Sequence, residues 1–195
     1  MDDLQEFREP ETKSRRAVII TVGAFIFVIV LAIVTASLLK TYCTVSFNID
    51  GSSMLPTFDG GVTKVADDGD KVILWKNPKL SRGNIVVFKT PAEENPLVKR
   101  VIGIAGDVIR IDKGNVYLND KLLDEPYILE PMSPSSWLNN GQRIEVKDGE
   151  IYVMGDNRND SSDSRSFGVV KTSNVIGKVI VIIKIDGGIT FPKKK

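Results

Sequence analysis

Residues 17 to 39, AVIITVGAFIFVIVLAIVTASLL, run for 23 positions without a charged side chain. Coiled into an α-helix, such a run reaches about 34 Å, against a hydrocarbon thickness of about 30 Å. It lacks the polar stripe of a buried core helix and is longer than the apolar stretch of a cleaved signal. The run therefore predicts one transmembrane helix over 17–39, with a short segment, 1–16, on one side of the bilayer and all else on the other.

Arg8, Lys13, Arg15 and Arg16 precede the span, whereas only Lys40 follows it closely, so the positive-inside rule predicts a cytoplasmic N-terminus. The expected localisation is a single-pass protein of the cell membrane with its bulk on the extracellular face. No clear small-x-small cleavage site follows the span, which points to a retained signal-anchor. Positive and negative side chains nearly balance, 26 against 25, so no basic field suggests a nucleic-acid partner. The single cysteine, Cys43, closes neither an intramolecular disulfide nor a cysteine zinc site, and reads as an ordinary thiol.

Beyond the anchor, short β-branched runs alternate with turn residues: DKVILWK, GNIVVFK, LVKRVIGI, DVIRI, EIYVMGD and KVIVIIKI. With no long amphipathic helical stretch competing, the expected fold is mainly β, with antiparallel sheet. Residues 112–149 differ, carrying three prolines and the turn signal Asn140-Gly141. They are expected to form a small inserted β sub-domain, which leaves 40–111 and 150–195 as the main domain. The closing PKKK reads as a solvated end, with anionic lipid head groups as the other reading.

The chain contains no histidine, which removes Ser-His and Cys-His catalysis and the histidine-based zinc sites together. A serine can still act as a nucleophile if a neutral lysine takes its proton. The segment GSSMLPT, 51–57, offers two serines, Ser52 and Ser53, and PLVKRVIGIAGD places Lys99 inside an apolar strand. Alternation puts Lys99 and Val101 on one face and Val98, Arg100 and Ile102 on the other. Burial there would disfavour the ammonium form, and lowering a lysine to about 7.5 takes roughly 4 kcal/mol. The same pattern also suits a surface lysine whose stem lies along apolar neighbours. A third segment, GDNRNDSSDSRSFG at 155–168, is dense in polar groups and reads either as a solvated loop or as a loop held rigid by internal ion pairs.

GSSMLPT, VKRVIGIAGD and GDNRNDSSDSR, in that order behind one membrane anchor, resemble the bacterial type I signal peptidases, in their Gram-positive form. GDKVILWK, RGNIVVF and GNVYLNDKLLDEPY extend the resemblance over most of the soluble chain. It implies that the serine just before the methionine, Ser53, is the nucleophile and Lys99 the general base. It further implies that Ser161 orients the lysine and that Asp156 with Arg100, and Asp163 near Arg165, form ion pairs supporting the loop. Gly51 stands where many Gram-negative members carry a hydroxyl residue of the oxyanion hole, leaving the Ser53 N–H as one donor and a Gly51 backbone group or a water as the second. Ala105 stands where proline is frequent.

The implied reaction is removal of N-terminal signal peptides from exported preproteins by acyl transfer, with no metal or organic cofactor. The implied partners are the signal peptides, bound extended along a strand edge and small at the first and third positions before the cut, and membrane lipid. Ile49, Met54 and Val98 are the candidates for lining those pockets, or are ordinary core residues. The alternative in another class is a catalytically silent assembly or chaperone factor for surface proteins. A penicillin-recognising SxxK enzyme fits poorly, because its only such string, Ser37 to Lys40, begins inside the span. A self-cleaving repressor fits poorly too, since the chain has an anchor and no DNA-binding segment.

Overall fold

The computed structural model describes residues 10–61, 69–91, 93–136 and 140–193, and side chains from residue 15 onward. Residues 1–9 of the expected cytoplasmic segment, with Arg8, and the final two lysines of PKKK lie outside the described residues, as does the Lys13 side chain. The chain divides into two units, Met1–Cys43 and Thr44–Lys195.

The described part of the first unit is one helix, α1 (Pro10–Cys43). Its stretch Arg15–Cys43 is long and apolar enough to cross a membrane, and none of the apolar window is buried within the protein. Two of the hydroxyls inside it bond back to their own helix: Thr21 Oγ1 donates to Ala17 O at 2.9 Å and Thr35 Oγ1 to Leu31 O at 2.8 Å. A donor satisfied by its own backbone costs little to place in lipid.

The second unit is mainly antiparallel β, as expected. Its strands are β1 (Thr44–Asn48), β2 (Lys71–Trp75), β3 (Ile85–Thr90), β4 (Glu93–Ile104), β5 (Val108–Asp112), β6 (Asn115–Leu118), β7 (Lys121–Leu122), β8 (Arg143–Glu145), β9 (Glu150–Met154), β10 (Val170–Lys171), β11 (Val175–Ile183) and β12 (Ile189–Thr190). A one-turn helix, α2 (Ser164–Phe167), lies between β9 and β10. The main sheet has the order β1-β2-β11-β3-β4-β9-β10, with β12 added to β11, and the second sheet runs β7-β6-β5-β8.

Burial follows from the side-chain alternation of these strands. In β3, Ile85 and Val87 enter one apolar cluster with Leu74 and Phe58, while Val86 and Phe88 enter another with Val101 and Val153. Covered on both faces, this strand needs the continuous apolar run IVVF in place of an alternating pattern. A third cluster joins Ile102, Tyr152 and Met154 of the main sheet to Ile109, Ile111 and Val116 of the second. The two sheets thus share apolar burial, which at about 25 cal/mol per Å² supplies the main favourable term of folding.

The pairing around β4 prepares the site. β3 pairs along β4 from Arg100 back to Glu93, but β9 pairs with it only from Arg100 to Ile104. Among the described residues, the stretch from Glu93 to Val98 therefore has a free edge on the β9 side, and Pro96, which has no N–H to give, falls within it. Among the described residues, β1 ends the sheet and pairs with β2 alone.

Candidate active site

The turn after β1 carries Ser53. Leu55 N donates to Ser52 O at 3.0 Å and Phe58 N to Met54 O at 3.0 Å, and the buried Met54 and Phe58 side chains anchor the turn in the core. Gly51 opens it with φ +82, the left-handed region where a side chain is disfavoured. That accounts for glycine in place of a hydroxyl residue: the space around its Cα is open, and the constraint lies in the backbone.

Lys99 reaches the turn from β4. Opposite Val86 and one alternation from Val101, it is only 3% exposed, and its Nζ lies 2.7 Å from Ser53 Oγ. Burial drives its pKa down to about 8, against the opposing pull of Asp163 and Glu93. The surface-lysine reading of the strand pattern therefore does not hold: the side chain is buried and its amine meets the Ser53 turn instead of solvent.

The segment 155–168 supplies a buried polar frame. Arg100 grips Asp156 twice, Nε to Oδ1 at 2.7 Å and Nη2 to Oδ2 at 2.6 Å. Arg165 grips Asp163 in the same way, both bonds at 2.8 Å. Bidentate geometry of this kind fixes orientation as well as distance. Desolvation pushes the Asp163 carboxyl up, but Arg165, the Gly155 N–H and Ser161 together hold it below the usual carboxylate range. Asp163 also caps α2 by accepting from Arg165 N, and Ser164 Oγ accepts from Val153 N, so the frame is tied to β9.

Ser161 donates to Asp163 Oδ2 at 2.8 Å, so its hydroxyl hydrogen is taken by the carboxylate and its oxygen keeps lone pairs with which to accept. Gly155 packs against both hydroxyl residues: a Cβ there would lie 2.3 Å from Ser161 Oγ and 2.4 Å from Ser53 O. Only glycine permits the end of β9 to come this close.

The sheet thus brings Ser53, Lys99, Ser161 and both ion pairs together. Ile49 and Met54 are buried in the core, while Val98 is partly exposed beside Lys99. Several further residues belong to the group. Thr57 Oγ1 donates to Asp156 Oδ2 at 2.5 Å, binding the serine turn to the Arg100 pair, and its place within GSSMLPT was a usable signal. Asn157 N donates to Ser53 O at 3.1 Å. Arg158 is gripped by Glu125 and donates to Gly155 O, a long-range pairing that no local pattern announces. A cavity of about 620 Å³ lined by Leu80, Ile151 and Val175 includes none of these residues. No cluster suited to a metal ion occurs among the described residues.

Comparison with known proteins gives a consistent result. The family described as signal peptidase, peptidase S26, matches residues 22–184. A probable signal peptidase I-1 of Synechocystis sp. is 34% identical over 160 residues, covering 78% of this chain and 77% of the relative. Signal peptidase I U of Bacillus subtilis is 35% identical over 136 residues, covering 67% and 71%. A crystal structure of a signal peptidase I from Enterococcus faecalis V583 aligns with 52% of this chain and 97% of its own, at 29% identity and a TM-score of 0.45.

Proposed function

The chain belongs to the signal peptidase family, peptidase S26, and from that premise we propose that Ser53 is the nucleophile and Lys99 the base of its peptide-bond cleavage. It is a membrane-anchored endopeptidase that removes signal peptides from preproteins, as its relatives' names and its apolar N-terminal helix support. The observation that carries the assignment of roles is the 2.7 Å contact between a nearly inaccessible amine and one hydroxyl.

In the proposed reaction, neutral Lys99 takes the Ser53 proton and the oxygen attacks the scissile carbonyl, forming a tetrahedral oxyanion. The Ser53 N–H is one donor to that oxyanion. As the intermediate collapses, the ammonium of Lys99 returns its proton to the departing amine and an ester remains on Ser53. Lys99 then takes a proton from water, whose oxygen attacks the ester, and gives it back to Ser53 as the acid product leaves. Asp156 with Arg100, and Asp163 with Arg165 and Ser161, hold the two reacting side chains in register.

The substrate lies extended in the gap beside the free edge of β4, where unpaired backbone groups at 93–98 can add a strand. Val98 borders that gap, and Ile49 and Met54 support its floor from beneath. The helix is oriented with its N-terminus in the cytoplasm, where Arg15 and Arg16 precede the span, and the β unit works on the outer face next to lipid. Tethering enzyme and preprotein to one membrane raises their effective concentration.

The test uses the full chain in detergent with a preprotein and sequencing of the product's new amino terminus. Cleavage at the end of the signal peptide that is abolished by Ser53→Ala and by Lys99→Ala supports the reading, and cleavage that survives both substitutions overturns it.

A further inference from the structure

Ser52 stands next to the proposed nucleophile and takes no part in the reaction above, yet both its carbonyl and its hydroxyl are tethered. Its carbonyl accepts from Leu55 N at 3.0 Å and from the side-chain amide of Asn157 at 3.2 Å. Its hydroxyl donates to a carboxylate oxygen of Asp160. Asn157 and Asp160 are the two ends of one turn, closed by Asp160 N donating to Asn157 O at 3.2 Å. From that same turn, Asn157 N donates to Ser53 O at 3.1 Å.

These bonds bear on chemistry through one covalent fact. The carbonyl of Ser52 and the N–H of Ser53 belong to the same peptide group, which is planar and trans, so they point in opposite directions. Whatever holds Ser52 O therefore aims Ser53 N–H. A rotation of this plane would swing the N–H away from the reacting carbonyl while leaving the Ser53 side chain and Lys99 where they are. Two donors on Ser52 O resist that rotation from one side, and the Ser52 hydroxyl, held by Asp160, resists it from the other.

We propose that the turn Asn157–Asp160 sets the plane of the Ser52–Ser53 peptide and so aims the Ser53 N–H at the developing oxyanion, which makes Ser52, Asn157 and Asp160 positioning residues for the cleavage. This rests on Ser53 being the nucleophile. It gives the second hydroxyl of GSSM a task distinct from the first: Ser52 orients and Ser53 reacts. The contribution is made in the transition state, because the oxyanion forms only there, so the loss is expected in kcat with KM little changed.

The decisive variants are Ser52→Ala, Asp160→Ala, their double combination, and Asp160→Asn, made in the full chain in detergent beside Ser53→Ala. Asp160 is exposed and Ser52 is not in the core, so thermal unfolding is expected to move little. Each single alanine variant is expected to lower kcat by about tenfold, in line with loss of one charge-assisted bond, and the double variant to be no worse than either single one. Asp160→Asn, which keeps an acceptor, is expected to recover most of the rate. A second readout is inhibition by a peptide aldehyde, whose adduct with serine carries the tetrahedral oxygen, compared with the matching peptide alcohol, which forms no adduct. Aldehyde binding is expected to weaken in parallel with kcat and alcohol binding to stay constant. If Ser53→Ala is inactive while both alanine variants keep wild-type kcat and aldehyde affinity, the positioning role is overturned. If Ser53→Ala itself cleaves, the assignment of the nucleophile is what fails.

Discussion

The Nζ atom of Lys99 lies 2.7 Å from the Oγ atom of Ser53, across 46 residues of sequence. The contact exists because β4 delivers the lysine along a face shared with Val101 and because Met54 and Phe58 pin the serine turn against the same sheet. An amine kept this dry, at 3% exposure, favours its neutral form, and burial is what draws its pKa down to about 8.

That value predicts the shape of the rate profile. Only neutral Lys99 can accept the Ser53 proton, so kcat/KM should climb tenfold per pH unit below about 8 and level off above it. Initial rates on a soluble signal-peptide substrate across the neutral and alkaline range measure this directly. A profile flat from about pH 5 to about pH 9 would remove Lys99 from the role of base.

The same lysine should cost the fold stability in a definite pH window. Its folded pKa, about 8, lies below the ordinary lysine value of 10.5, so the unfolded chain binds more protons between those two values. Stability therefore rises with pH across that window, and the penalty is fully present below it, amounting to about 3 kcal/mol. Lys99→Met, which keeps the length and drops the charge, is expected to unfold at higher temperature than the parent at pH 6, the margin shrinking as pH approaches about 10. A margin that does not change with pH would show that the amine is not carried neutral by the fold.

Gly155→Ala tests the closeness of the frame to the nucleophile. The added carbon would fall 2.4 Å from Ser53 O and 2.3 Å from Ser161 Oγ, distances at which something must move. Ser161 can rotate aside, but the Ser53 backbone cannot shift without taking its N–H and Oγ with it. Near-attack geometry is intolerant of an ångström, so a fall in kcat of about a hundredfold is expected, with far-ultraviolet circular dichroism unchanged. Wild-type turnover in this variant would mean the turn has freedom that the packing around Gly155 denies it.

Much of the fold is legible in the chain because strand signals are local. The apolar run at 17–39 lies wholly within α1, and GNIVVFK and EIYVMGD fall on β3 and β9. The Asp156–Arg100 and Asp163–Arg165 pairs are made as the motif implied. What escapes a sequence reading depends on pairing between distant segments. Nothing local says that β9 stops short on β4 and leaves an edge free, or that the Ser161 hydroxyl turns to Asp163. Ile49 and Met54 are apolar residues beside a reactive serine, and whether such residues face a groove or the core is decided by Val72, Leu74 and Phe58 packing over them. The Ser52–Asp160 bond spans 108 residues and joins two residues that look like ordinary turn formers in isolation.

The Arg100–Asp156 pair separates support of the fold from support of the site. Both side chains are essentially inaccessible, 1% and 0% exposed, and the arginine also donates to Gly83 O and Lys193 O. Removing one partner strands the other charge in the interior, so Asp156→Ala is expected to lower stability by about 3–5 kcal/mol. Replacing both with apolar residues of similar volume, Arg100→Met with Asp156→Leu, removes the stranded charge and is expected to recover most of that loss. Activity should not recover with it. Thr57 Oγ1 rests on Asp156 Oδ2, and that bond is what links the far end of the serine turn to the frame, so the double variant should fold and still turn over slowly. Chemical unfolding and kcat measured on the same preparations decide it: recovery of both together would make the pair a packing element with no hold on Ser53.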